Sequence, residues 1–146
     1  DIITWDKGHA APVISEGVMS SRYEWIFILS NKKEASRSIP YANWRGKWSN
    51  VYQGPSQRDN KFSEIHGATF PVHLPMFVLG DLMNRCRGVV DCFCGTGTTI
   101  IAAEKLGKIG YGIELDPKYC DVIVKRWQDF TGKKAVHAET GEEFNG

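Results

Sequence analysis

The sequence predicts an α/β fold, and three observations carry that prediction. Residues 89–94 are a short apolar run, Val89-Val90-Asp91-Cys92-Phe93-Cys94, followed by the glycine turn Gly95-Thr96-Gly97. Thr98-Thr99 then leads into Ile100-Ile101-Ala102-Ala103-Glu104-Lys105-Leu106, so the order reads as buried strand, turn and helix. A second apolar stretch, Ile109-Gly110-Tyr111-Gly112-Ile113-Glu114, completes a β-α-β unit. Its turn lies at the carboxyl end of the first strand, where open α/β sheets bind ligands.

The other elements follow in chain order. Ile2-Ile3-Thr4-Trp5 is a strand candidate ending in Asp6-Lys7-Gly8, and residues 23–30 are a stronger one, rich in aromatic and β-branched side chains. A connection holding Gly8, Pro12 and Gly17 allows the two to form an antiparallel pair. Residues 32–61 change character: Lys32, Lys33, Arg37, Arg45, Lys47, Arg58 and Lys61 stand against Glu34 and Asp59, with Trp44, Trp48 and Tyr52 interleaved. A basic, aromatic loop of that length is uncommon unless it serves a function or is disordered. Residues 72–83 have the pattern of an amphipathic helix opened near Pro71 or Pro75. Asp116 and Pro117 cap a further helix with apolar residues at Tyr119, Val122, Ile123, Trp127 and Phe130. Residues 133–138 read as a last short strand, before an acidic end.

At 146 residues the chain is one domain by length, large enough for a real core. A formal net charge of +1 argues against a uniformly basic nucleic-acid binder and leaves room for a local patch. No charged and apolar leader pattern opens the chain and no apolar run reaches membrane-spanning length, so a soluble, cytoplasmic protein is expected. Cys86, Cys92, Cys94 and Cys120 form no C-x-x-C pair and have no histidine spacing that makes a zinc site, so no metal is expected. Cys92 and Cys94 read as small buried side chains in a crowded turn.

The turn decides the ligand class. Gly95 and Gly97 supply G-x-G, but Ile100 stands where a dinucleotide fingerprint needs its third glycine. Asp91 puts a carboxylate where a pyrophosphate would lie, which suits a cationic ligand better. S-adenosylmethionine carries an ammonium and a sulfonium and no phosphate, and Glu114 can accept hydrogen bonds from both ribose hydroxyls.

Asp91-Cys92-Phe93-Cys94-Gly95-Thr96-Gly97-Thr98-Thr99 resembles the D-P-F-x-G-x-G-T-T cofactor motif of DNA amino-methyltransferases, the adenine-N6 and cytosine-N4 enzymes. Gly112-Ile113-Glu114-Leu115-Asp116-Pro117-Lys118-Tyr119 resembles the G-I-E-x-D-P-x-Y segment that follows it in that family. The resemblance extends to the I-I-x-W-x-K and R-Y-E-W-I-x-x-x-S stretches at the start of the chain. It implies an S-adenosylmethionine site built from Ala68, Thr69 and Phe70, from Asp91, Cys92, Phe93, Gly95, Thr96, Gly97, Thr98 and Thr99, and from Glu114 and Leu115. The family's H-P-x-x-K-P segment is only partly kept: His66 and Pro71 remain, whereas Gly67 and Phe70 depart from it. Double-stranded DNA is the implied substrate, with Trp44, Arg45, Lys47, Trp48, Arg58 and Lys61 as the implied contacts.

The resemblance also fixes an expected organisation. Residues 1–31 are the last strands of the catalytic half, residues 32–65 the target-recognition loop, and residues 66–146 the cofactor segment, in the order of the β-type enzymes. The implied fold is the Rossmann-like methyltransferase sheet, mixed because one strand is antiparallel, with strand order 3-2-1-4-5-7-6. Strands 1 to 3 and 6 to 7 are accounted for and strands 4 and 5 are not, so the sheet is incomplete in this chain. No [D/N/S]-P-P-[Y/F/W] motif occurs, so no catalytic residue is assigned. Asp116-Pro117-Lys118-Tyr119 imitates that motif but reads as a helix start. The motif would come from an N-terminal portion of the same enzyme or from a second chain, and a homodimer is a further option. Adenine N6 is favoured over cytosine N4. The rival readings are a non-catalytic DNA- or cofactor-binding remnant and a fragment of a dinucleotide-dependent oxidoreductase.

Overall fold

The computed structural model describes residues 1–8, 15–30, 38–54 and 69–146. Strand β1 (Ile2–Asp6) pairs antiparallel with β2 (Tyr23–Phe27), Thr4 opposite Trp25, as the sequence predicts. On its other side β1 pairs in parallel with β3 (Val51–Gln53), a strand inside the stretch expected to be loop. Along β1 the side chains alternate, so Ile3 and Trp5 are buried while Thr4 and Asp6 are only half-buried. Trp5 donates its indole N–H to the carbonyl of Gly54 at 3.2 Å. Arg22 grips Asp6 through two 2.7 Å bonds at the end of the pair, which brings that carboxyl down to about 2.

The expected amphipathic helix is split. Helix α1 (His73–Met76) opens after Pro71 and continues as a π-helical stretch, Phe77–Leu82, in which the amide of Met83 reaches the carbonyl of Val78. Phe77 and Leu82 form a core cluster with Ile3 and Ile28, and Leu82 is the most deeply buried of them. Residues 38–54 close over that cluster: Tyr52 stacks on Phe77 at 4.3 Å and Trp48 meets it edge-on at 5.6 Å.

The second unit is the one legible from periodicity. Strands β4 (Gly88–Asp91) and β5 (Ile109–Gly112) are parallel, Val90 opposite Tyr111, and helix α2 (Thr98–Lys105) connects them. Ile101, Ala102 and Ala103 of α2 are buried, and Gly110 lets the helix approach, since a Cβ there would lie 3.2 Å from that of Ala103. The two sheets stay separate, so β2, β3, β4 and β5 each have an outer edge with no neighbouring strand among the described residues.

Helix α3 (Pro117–Thr131) starts as predicted, with the Asp116 carboxylate accepting the amide of Lys118 at 2.9 Å and Pro117 in the first turn. Replacing Asp116 with alanine should cost about 1 kcal/mol of stability, measured by chemical denaturation. No residue of α3 is fully buried, because its apolar side faces an open groove of about 540 Å³ bordered by Val136. The expected strand over residues 133–138 does not form. Val136 makes a single antiparallel bridge with Glu143, and the amide of Phe144 bonds the carbonyl of Ala135, so this backbone is satisfied locally instead of by β5.

Candidate functional site

Strand β4 delivers its last residue, Asp91, to the turn, and the carboxylate of Asp91 accepts the amide of Phe93 at 3.1 Å. The turn then needs left-handed backbone twice, at Gly95 (φ 53°) and Gly97 (φ 76°), which residues bearing a Cβ rarely adopt. At position 97 a side chain would also strike Ile123 of α3 at 3.1 Å. Gly112 in β5 is fixed by proximity, since a Cβ there would come within 2.7 Å of the Cys94 sulfur.

Just beyond β5 stands Glu114. Its Oε2 accepts the amide of Gly95 at 2.7 Å, and its Oε1 accepts those of Leu115 and Asp116 at 2.9 and 3.0 Å. Three backbone amides therefore orient this carboxylate and tie the end of β5 to the glycine turn. Cys94 lies between the two acids: burial first, then the charges of Asp91 and Glu114, push its thiol up to about 11. Cys94 is buried as expected, whereas Cys92 is exposed, which corrects the expectation that both cysteines are buried.

A cleft of about 510 Å³ opens over this turn. Thr69 and Phe70 line it from the segment ahead of α1, and Cys92, Phe93, Gly95, Thr96 and Thr98 line it from the turn. Glu114 and Leu115 close the far side. Phe93 and Leu115, 92% and 96% exposed, stand at the cleft as apolar flaps. Of the rest of the expected set, Asp91 accepts the Phe93 amide, position 97 packs on Ile123 and Thr99 is buried in α2. Ala68 lies outside the described residues. The sequence reasoning missed Cys94 and Ile113, which also line the cleft and were signalled only by their neighbours in the two motifs.

The basic loop divides differently from expectation. Trp44 donates its indole N–H to the carbonyl of Leu82 at 3.0 Å, and Trp48 packs on Phe77. Both rings are half-buried against the core. Arg45 and Lys47 are exposed, with the Lys47 ammonium 4.8 Å from the Trp48 ring centre. Arg58 and Lys61 lie outside the described residues. Among the described residues no group of three or more His, Cys, Asp or Glu side chains could hold a metal ion. Asp116, the apparent start of a D-P-P-Y-like segment, serves as the cap of α3.

Residues 1–125 match the family model of the N6/N4 DNA methylases. The chain belongs to that family. It is 32% identical over 105 residues to the type II methyltransferase M.BglI of Bacillus subtilis, covering 72% of this chain and 29% of that protein. It is 29% identical over 136 residues to the type II methyltransferase M.Cfr9I of Citrobacter freundii, covering 86% of this chain and 43% of that protein. The methylase chain thus spans less than half the length of these curated relatives. In solved structures, the cytosine-N4-specific PvuII DNA methyltransferase superposes with a TM-score of 0.63 at 20% identity, over 87% of this chain and 50% of that one. A DNA modification methylase from Thermus thermophilus, complexed with S-adenosyl-L-methionine, superposes at 0.56 with 21% identity, over 90% and 54%. The shared architecture is the Rossmann-like methyltransferase fold, the α/β class expected from the sequence. No helix among the described residues is long and apolar enough to cross a membrane.

Proposed function

We propose that this methylase chain binds S-adenosylmethionine in the cleft over the glycine turn and forms the cofactor-binding part of a cytoplasmic DNA methyltransferase acting on an exocyclic amine. The observation that carries the reading is the Glu114 carboxylate, held by three amides at the end of β5 beside Gly95. The residues present fit the cofactor. Glu114 would take the ribose hydroxyls, the apolar side chains of Phe93, Ile113 and Leu115 offer faces for a flat purine, and the negative charge of Asp91 suits a cation and disfavours a pyrophosphate. The bound cofactor supplies an electrophilic methyl group on a sulfonium. Of the two target amines of the family we favour adenine N6 over cytosine N4.

The chain's own share of the chemistry is binding and orientation. Freeing the amine lone pair and stacking the flipped base fall to a D-P-P-[Y/F/W] segment, which this sequence lacks and a further segment or second chain would bring. The outer edges of β2 and β4, unpaired among the described residues, support the need for that segment. Calorimetry with S-adenosylhomocysteine against NAD tests the cofactor: binding of the former alone supports the reading, and binding of NAD alone would replace it with an oxidoreductase fragment. Transfer of labelled methyl groups to duplex DNA, with and without the completing segment, separates an enzyme from a non-catalytic remnant.

DNA would be met by the exposed cations Arg45 and Lys47, together with Arg58 and Lys61. Neutralising all of them should weaken DNA binding and flatten its dependence on salt, the logarithmic slope falling by about 0.9 for each phosphate that no longer has a cation beside it. Cofactor affinity should not change. A fluorescence titration of duplex DNA at several salt concentrations that returns the original slope would remove the loop from the interface.

A further inference from the structure

Arg126 lies in the second half of α3 and reaches across to the turn that precedes α2. Its Nη1 donates to the carbonyl of Thr96 at 2.9 Å and to the Thr98 hydroxyl at 3.1 Å, with the Thr96 hydroxyl at 3.4 Å. Thr96 and Thr98 are 2% and 3% exposed and line the cleft, whereas Arg126 stands behind them. The guanidinium is half-buried, and burial pulls its pKa below the usual arginine value, yet an arginine keeps its charge at any working pH. A cation placed there is unfavourable unless its donors are used, and here Nη1 donates to the turn.

The turn needs such a tie. It contains two left-handed glycines, Gly95 and Gly97, the second of them directly ahead of α2. Three residues before Arg126, on the same face of α3, Ile123 closes on Gly97 so tightly that a Cβ there would lie 3.1 Å away. Helix α3 therefore holds the turn both by packing and by charge.

We propose that Arg126 is a positioning residue of the cofactor cleft: it fixes the Thr96 carbonyl and the Thr96 and Thr98 hydroxyls, and with them the wall on which the cofactor is seated. This rests on the assignment of the cleft to S-adenosylmethionine. A role in folding alone would act through the docking of α3, and Trp127 offers the comparison, because its indole N–H bonds Glu104 at 3.2 Å on the same helix away from the turn. Calorimetry with S-adenosylhomocysteine on the wild type, R126M, R126Q, R126K and W127F, each in complex with the completing segment and well below its melting temperature, separates the two. R126M and R126Q should bind about tenfold or more weakly and R126K should recover part of the loss. W127F should lower the melting temperature and leave the affinity unchanged.

Folded R126M or R126Q binding within about twofold of wild type would overturn the proposal, as would a W127F defect equal to theirs. Should R126M not fold, the same criterion applies to R126Q. If the wild type itself does not bind S-adenosylhomocysteine, the cofactor assignment falls together with the role of Arg126. If the wild type binds and the arginine variants bind equally well, the role of Arg126 falls alone.

Discussion

Removing the Glu114 carboxylate should reduce affinity for S-adenosylhomocysteine by one to two orders of magnitude, on the order of 1.5–3 kcal/mol for lost charge-assisted hydrogen bonds. Glu114→Ala strips the acceptor from the amides of Gly95, Leu115 and Asp116 together, so the glycine turn and the end of β5 lose their shared anchor. Glu114→Gln is the sharper probe. Its single amide oxygen can serve the Gly95 side or the Leu115 and Asp116 side, and whichever way it sits, an NH₂ group faces a backbone N–H. The glutamine variant should therefore be nearly as impaired as the alanine one, although it keeps the volume of the side chain. Asp91→Ala should weaken binding by a similar order through loss of negative charge and release of the Phe93 amide. Calorimetry at fixed salt gives both values, and unchanged affinity in Asp91→Ala and Glu114→Ala alike would sink the cofactor assignment.

These residues could be found in the sequence because their environment is local. Gly95 and Gly97 sit in the left-handed turn that a strand-to-helix connection demands, and Glu114 follows directly on the apolar run that forms β5. The β4-α2-β5 unit is legible for the same reason: each residue choice agrees with its neighbours. What escaped depends on distant partners. The three residues of β3 become a strand only because Thr4 and its neighbours lie alongside them. Trp44 and Trp48 can be read locally either as faces for bases or as cover for the core, and only Leu82 and Phe77, distant in sequence, show the packing they make. Residues 133–138 read as a short strand, yet a local reading cannot supply a partner, and their bonds close on the chain end instead. The π-helical stretch keeps an apolar period close to that of an α-helix, so the pattern does not announce it. Arg126 in the sequence is one more charge on an amphipathic helix, and only the tertiary fold brings it to the turn.

The chain on its own should self-associate at micromolar concentration, and a segment supplying the intervening strands and the D-P-P-[Y/F/W] motif should convert it to a monodisperse complex. The outer edges of β2 and β4 present backbone donors and acceptors with no strand beside them among the described residues, a template for pairing with another chain. Apolar side chains flank both. Trp25 and Phe27 of β2 are 61% and 60% exposed, and Val90 of β4 is 61% exposed. Such positions belong to the inside of a sheet rather than its rim, and no lysine or proline lies within β2 or β4 to blunt the edge. Light scattering should report assemblies larger than the monomer for the isolated chain. Hydrogen exchange should show the amides of β2 and β4 gaining protection when the completing segment binds, while those of α3 change little. A monomer that stays monodisperse at high concentration, with β2 and β4 already protected, would refute the expectation. The two edges would then be satisfied from within, and the catalytic motif would have to dock on another face of this chain.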